Sequence, residues 1–211
     1  QCLERVESLV PKGELLDIGA ATGYFLNIAK NRGWKTVGVE IGAFAAEAGR
    51  KNGLDIKTGT IADLPIEKKF DAITMFDVIE HISAPRADLG KAKELLKEGG
   101  ALVIITPDSG SFYARLMGKR WHLVVPPEHV TLFNRKSLSN LLNEVGFEVL
   151  EINSPKKSFT IEYILHTLFR WQKLGIWGWL LKIVKKYPAL AEFRLPINFG
   201  DNMMVFARKI Y

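Results

Sequence analysis

The run Leu15-Leu16-Asp17-Ile18-Gly19-Ala20-Ala21-Thr22-Gly23-Tyr24-Phe25 constrains this chain more than any other stretch. A short apolar run, two nearby glycines and then residues at helical spacing predict a buried strand, a tight turn and a helix start. A glycine in that turn lets a ligand touch the backbone, because no Cβ stands in the way. The helix that follows offers unpaired N–H groups to polar ligand atoms. Glu40 closes the next predicted strand, Thr36 to Glu40, and lies 23 positions after Asp17. That is near the offset of about 20 residues at which nucleotide-binding α/β sheets place a ribose-binding carboxylate.

The glycine spacing also sorts ligands. Dinucleotide sites use G-x-G-x-x-G, whose middle glycine admits a pyrophosphate. Here Ala21 stands at that place, and the chain has no phosphate loop ending in Gly-Lys-Ser/Thr. A ligand with a ribose and no phosphates fits better. The pattern resembles the class I S-adenosylmethionine-dependent methyltransferases. Further segments carry the resemblance in order: Gly59 to Pro65, Phe70 to His81, Gly99 to Pro107, Gly146 to Val149 and Asn202 to Lys209. These are similar to the family's adenine loop, fourth strand with its loop, fifth strand, entry into the sixth strand and final antiparallel strand. The Glu80-His81 pair resembles the small-molecule methyltransferases of quinone biosynthesis.

The resemblance implies an α/β fold: a Rossmann-like seven-stranded methyltransferase sheet with helices on both faces. Strands are expected near 14–18, 35–39, 55–58, 71–76, 100–106, 147–152 and 202–208. Helices are expected near 1–9, 23–32, 43–52, 85–97 and 136–145, with Ser137 opening the last and Gly146 stopping it. Residues 107–135 read as an irregular segment. Residues 1–152 and 201–211 would form the cofactor-binding domain. Residues 153–200 would be a helical lid inserted before the last strand, with helices near 159–173 and 176–186.

Composition sets outer bounds. The 211 residues suit one domain with a sizeable core. One cysteine, Cys2, excludes a disulfide framework and a cysteine-rich zinc site, and a cytoplasmic setting is the default reading. The chain opens on Gln1, and relatives carry a further N-terminal helical segment, so a trimmed chain is expected. No apolar run reaches the ~18 residues of a membrane span. The net charge of +6 gathers between Lys156 and Tyr187, where seven basic side chains face one acid, Glu162. A near-neutral remainder argues against a nucleic-acid partner. Glu162, His166 and Arg170 form a polar stripe beside an apolar one of Ile161, Ile164, Leu165 and Leu168. Trp171, Trp177 and Trp179 lie near Lys173 and Lys182, a composition shared by substrate lids and by peripheral contacts with anionic membrane through 156–187.

The resemblance assigns cofactor-binding roles by position. Asp17, Gly19, Ala20 and Gly23 would hold the methionine portion, and Glu40 both ribose hydroxyls, with Ile41 beside it. Thr60 and Ile61 would wall the adenine, and Met75 and Phe76 would end the fourth strand against the cofactor. Thr60 replaces an acid found in many members, with Asp63 as a substitute acceptor. The fourth-strand loop lacks the Asn/Asp-Pro-Pro-aromatic motif of base methylation. His81 and His129 are the candidate bases, since imidazole suits proton removal near neutral pH. No resident metal is expected, although Glu80 and His81 with substrate oxygens form a conceivable ion site. The reading is methyl transfer from S-adenosylmethionine to a small-molecule or lipid-like acceptor, at a hydroxyl oxygen. N- or C-methylation, or cofactor binding without catalysis, are the alternatives.

Overall fold

The computed structural model describes residues 2–155, 159–195 and 200–210, apart from the side chain of Trp171. Two compact units divide it: residues 1–154 with 200–211, and residues 155–199.

In the first unit, α1 (Cys2–Leu9) precedes β1 (Glu14–Ile18), α2 (Tyr24–Asn31), β2 (Lys35–Glu40), α3 (Ala43–Lys51), β3 (Ile56–Thr58) and β4 (Phe70–Phe76). Then come α4 (Pro85–Leu95), β5 (Leu96–Pro107), α5 (Phe112–Met117), α6 (Arg135–Val145) and β6 (Phe147–Asn153). In the second unit follow β7 (Phe159–Thr160), α7 (Ile161–Gln172), α8 (Gly175–Val184), α9 (Pro188–Ala191) and β8 (Arg194–Leu195); β9 (Asn202–Lys209) returns to the first.

The seven-stranded sheet runs β3-β2-β1-β4-β5-β9-β6. β1 to β5 pair in parallel, and β9 lies antiparallel between β5 and β6. Strands buried on both faces read as unbroken apolar runs, because alternate residues serve opposite cores. Leu16, Ile73, Leu102 and Ile104 join α4 and α6 in one cluster. Leu15, Ala72, Ala101 and Val103 join α1 and α2 in the other. The chain order reverses beside β1, between β2 and β4, and ligands of such sheets bind outside the carboxyl ends of the strands at that place.

Three expectations are corrected. Residues 107–135 are not wholly irregular: Ser111 accepts a hydrogen bond from the Ala114 amide at 3.1 Å and caps the six-residue α5. Ser137 does not open α6. Asn134 caps it, accepting from the Ser137 amide, while the Ser137 hydroxyl accepts from the Asn134 amide, both at 2.9 Å. β5 begins at Leu96 rather than near residue 100, because Leu96 already pairs with Phe70 across an irregular step.

In the second unit, β7 and β8 form a two-stranded ribbon, and Leu165, Val184 and Ala191 make a small core with Ile161, Trp177, Leu180 and Leu181. Thr160 caps α7 by accepting from the Tyr163 amide. Among its expected features, Lys156 and Lys157 and the side chain of Trp171 lie outside the described residues.

α1 is tied to the sheet unit by Glu7, which accepts two hydrogen bonds from the Arg32 guanidinium at 2.9 and 2.7 Å and one from Trp34 Nε1. The bond from Arg32 holds the Glu7 carboxyl down at about 2. A carboxylate depressed on folding stabilises the native state above its unfolded pKa, and that stabilisation fades as pH falls through the folded value. Glu7→Gln should therefore lower the urea midpoint at pH 7, and the gap to the parent chain should nearly close by pH 2. A gap of equal size at both pH values would show that the ion pair contributes nothing.

Candidate active site

A cleft of about 480 Å³ opens at the carboxyl ends of β1, β2 and β4. Ligand pockets run from about 300 to 1,000 Å³, so the size suits a nucleoside with a short tail. Its lining includes Gly19, Ala21, Glu40, Ile41, Thr60, Ile61, Phe76, Asp77 and His81.

Gly19 forms the floor with φ at +73°, and a Cβ there would stand 2.3 Å from Val78 Cγ2. Only glycine meets both demands. Gly23 likewise has φ at +83° and would drive a Cβ into Leu54. Ala21 and Asp77 are non-glycine residues in the left-handed region, at φ 47° and 53°, and both line the cleft. Strained backbone of this kind survives only where surrounding contacts hold it.

Glu40 supplies such a contact. Its Oε2 accepts from the Ala21 amide at 2.8 Å and its Oε1 from the Gly42 amide at 2.7 Å. One carboxylate thereby clips the turn after β1 to the turn after β2. Each oxygen keeps a further lone pair for a ligand hydroxyl. Ile41 and Ile61 give apolar walls in the same cleft. Asp63 closes the loop between them: its Oδ2 accepts from the Thr60 amide at 2.7 Å and the Thr60 hydroxyl at 2.9 Å. Thr60 thus spends its proton within the loop and offers a ligand only lone pairs.

Asp17, Ala20, Gly23 and Met75 stand behind this lining and not in it. Asp17 is buried, and its Oδ1 accepts from the Thr74 hydroxyl at 2.6 Å. Burial pushes its carboxyl up to about 7; the Thr74 bond opposes the rise and Glu40 adds to it.

His81 ends the 3₁₀ turn Ile79–His81 after β4 and lines the cleft. Glu80 beside it is buried and accepts from the Thr106 hydroxyl at 2.9 Å. Burial raises its carboxyl above the ordinary range, against the hydrogen bonds from its own backbone and Thr106. The Glu80 carbonyl accepts from the amides of Val130 at 2.8 Å and Thr131 at 3.1 Å, which staples the segment after α5 onto this turn. His129 rides on that segment, and its ring centroid lies 4.8 Å from that of His81. His81 Nδ1 meets the Glu128 carbonyl at 2.9 Å, and His129 Nδ1 meets the Leu123 carbonyl at 2.6 Å. A carbonyl only accepts, so both Nδ1 atoms donate, and in the neutral form of each ring Nε2 is the acceptor. Glu80, His81 and His129 each place a donor atom within 4.8 Å of the others. That set can take up a proton or hold a divalent ion. His129 is not part of the cleft lining itself.

The sequence reading missed Ala21 and Asp77. Ala21 stood out only as a missing glycine, and Asp77 carried no signal beyond aspartate's tolerance of the left-handed region.

A sheet of this order, with its glycine turn and carboxylate clip at the switch point, is the architecture of class I S-adenosylmethionine-dependent methyltransferases. A family model described as a methyltransferase domain matches residues 2–152, and the chain belongs to that family. An uncharacterized protein of Methanocaldococcus jannaschii is 29% identical over 147 residues, 69% of this chain and 70% of that protein. A Mycolicibacterium smegmatis protein named "Probable S-adenosylmethionine-dependent methyltransferase" is 27% identical over 64% of this chain and 52% of its own. A ubiquinone biosynthesis O-methyltransferase of Bradyrhizobium is 29% identical over 52% of this chain and 46% of its own. The chain thus spans about half the length of these last two relatives. The solved structure of a SAM-dependent methyltransferase from Thermotoga maritima superposes with a TM-score of 0.64 at 25% identity, covering 98% of this chain and 86% of that one. S-adenosylmethionine is accordingly the cofactor, as the family resemblance implied.

Two measurements bear on this site. Calorimetry with S-adenosylhomocysteine should show binding that Glu40→Ala weakens by about 1.5–3 kcal/mol, the worth of a charged hydrogen-bond acceptor. Unchanged affinity would remove Glu40 from the ribose. For Asp17 the folded pKa lies above the unfolded one, so without ligand the native state binds the extra proton and stability falls as pH rises from about 4 to 7. Asp17→Asn cannot ionise and should flatten that slope in urea unfolding; an unchanged slope would show that Asp17 ionises freely.

Proposed function

We propose that this chain transfers the methyl group of S-adenosylmethionine to a hydroxyl oxygen of a small-molecule or lipid-like acceptor. The observation that carries this reading is the pair of imidazoles beside the cleft, 4.8 Å apart, each with Nδ1 donating to a carbonyl so that Nε2 is the ring nitrogen free for an acceptor. The relatives named as ubiquinone biosynthesis O-methyltransferases favour oxygen as the acceptor atom.

S-adenosylmethionine brings a methyl group on a sulfonium, which leaves as the carbon–sulfur bond breaks with its electron pair kept by sulfur. The chain's task is to align, to exclude water and to remove a proton. Glu40 would accept from the ribose hydroxyls, while Ile41, Thr60 and Ile61 flank the base. Gly19 would let the methionine end lie on the backbone, with Asp17, Ala20 and Gly23 shaping the turn beneath it. Met75 and Phe76 would support the cofactor from the end of β4. His81 Nε2 would take the acceptor's hydroxyl proton as the oxygen attacks the methyl carbon. His129 and buried Glu80 would stabilise the imidazolium that forms. A cytoplasmic location belongs to the same reading.

Methyl-labelled S-adenosylmethionine should pass label to the oxygen of one member of a panel of catechols, alkyl-tailed phenols and polyprenyl phenols. On that acceptor, His81→Ala should cut turnover by roughly 10²- to 10⁴-fold, the usual worth of a positioned base, and leave S-adenosylhomocysteine affinity intact. EDTA should leave the rate unchanged, since the three-residue cluster is assigned to proton transfer. A rate lost to EDTA and restored by a divalent ion would reassign the cluster to metal binding. Label arriving on nitrogen or carbon would favour the other methylation chemistries. Tight cofactor binding with no transfer to any acceptor, including a total cell extract, would leave a binding protein.

A further inference from the structure

Helix α8 carries bulky apolar residues on its exposed edge as well as its buried one, with Lys182 the one charged residue in it. Its inner edge, Trp177, Leu180, Leu181 and Val184, belongs to the small core of the second unit. Its outer edge carries Ile176 and Trp179, which are 59% and 60% exposed. Ile183, four residues after Trp179, continues that edge half-buried, and exposed Leu174 stands just before the helix. A surface helix ordinarily turns polar residues outward, so bulky apolar side chains on its outer edge need a covering surface. α8 has only 10 residues, and no described helix is long and apolar enough to cross a membrane. Scattered exposed apolar residues need no explanation, but a bulky apolar edge along one helix does.

Charge identifies the occupant. Lys182 and Lys186 follow Trp179 at i+3 and i+7, so they share its side of the helix and the turn that extends it. Lys173 and Lys185 lie close by in sequence, all four exposed. Lys185 meets Glu162 at 3.3 Å, while Lys173, Lys182 and Lys186 have no carboxylate within ion-pair distance among the described residues. Indole with aliphatic side chains below and lysine heads above is the composition of an interfacial helix, whose lysine stems reach back to the headgroup level.

We propose that α8 docks this chain in the plane of an anionic bilayer, with Leu174, Ile176 and Trp179 entering the headgroup boundary and Lys182 and Lys186 on lipid phosphates. The inference rests on the second unit alone and is independent of the methyl-transfer chemistry.

Vesicle flotation of the whole chain tests it. Phosphatidylcholine vesicles containing one-third phosphatidylglycerol should bind about tenfold or more tightly than pure phosphatidylcholine, and added NaCl should erase the difference, since each lysine near such a surface is worth roughly fivefold. Trp179→Asp should abolish flotation. The double variant Lys182→Glu with Lys186→Glu should lose the preference for anionic vesicles. S-adenosylhomocysteine affinity, unchanged in all variants, would show that the first unit stays folded, and circular dichroism would report on the helices of the second. Equal binding to both vesicle types, no binding, or flotation indifferent to Trp179→Asp would overturn the proposal. A dimer in sedimentation that Trp179→Asp dissolves would overturn it too, by giving the face to a second copy of the chain.

Discussion

The cofactor cleft depends on the single carboxylate of Glu40. A glycine turn after β1 can take many shapes, and glycine gives the most conformational freedom to lose on folding. Glu40 removes that freedom by accepting from Ala21 and Gly42 at once. Ala21 stays at φ 47° because its amide is held there. Charge-assisted hydrogen bonds of this type are roughly twice as strong as neutral ones. The same carboxylate can then serve a ligand, so the residue that shapes the turn is also the residue that would read the ribose.

The His81 side of the cleft is built by a different route. The Glu80 carbonyl binds two backbone amides, of Val130 and Thr131, and so brings a segment some 50 residues away in sequence against the turn that follows β4. The Glu80 side chain meanwhile is sunk beneath it on Thr106. Burial makes the charged carboxylate costly there, which is relieved when a positive charge forms nearby. An imidazole at His81 or His129 that accepts a proton supplies such a charge. In the proposed reading, the backbone staple, the buried acid and the two imidazoles would together hold the acceptor's proton.

Local features were legible in the residues. Gly19 and Gly23 act over short stretches, the apolar strand runs follow from burial on both faces, and Glu40 is marked by its offset of 23 positions from Asp17, one strand–helix–strand unit further along. Seven strands with the last one antiparallel followed from the family's resemblance, and the structure carries them, while the order of the strands is read from the structure. What required long-range pairing was harder to read. The approach of His129 to His81 is set by backbone bonds across the fold, which no spacing announces. The start of β5 at Leu96 is set by its partner Phe70, and the start of α6 by an exchange between Asn134 and Ser137 in which either residue reads as a cap. Ala21 shows the limit most clearly: its side chain says nothing of the left-handed backbone that Glu40 imposes.

A crystal structure of this chain with S-adenosylhomocysteine tests the central claim most directly. Both ribose hydroxyls should lie within hydrogen-bond distance of the Glu40 carboxylate, with adenine between Ile41 and Ile61 and the sulfur facing the side of the cleft that holds His81. A nucleoside bound elsewhere, or a ribose turned away from Glu40, would contradict it.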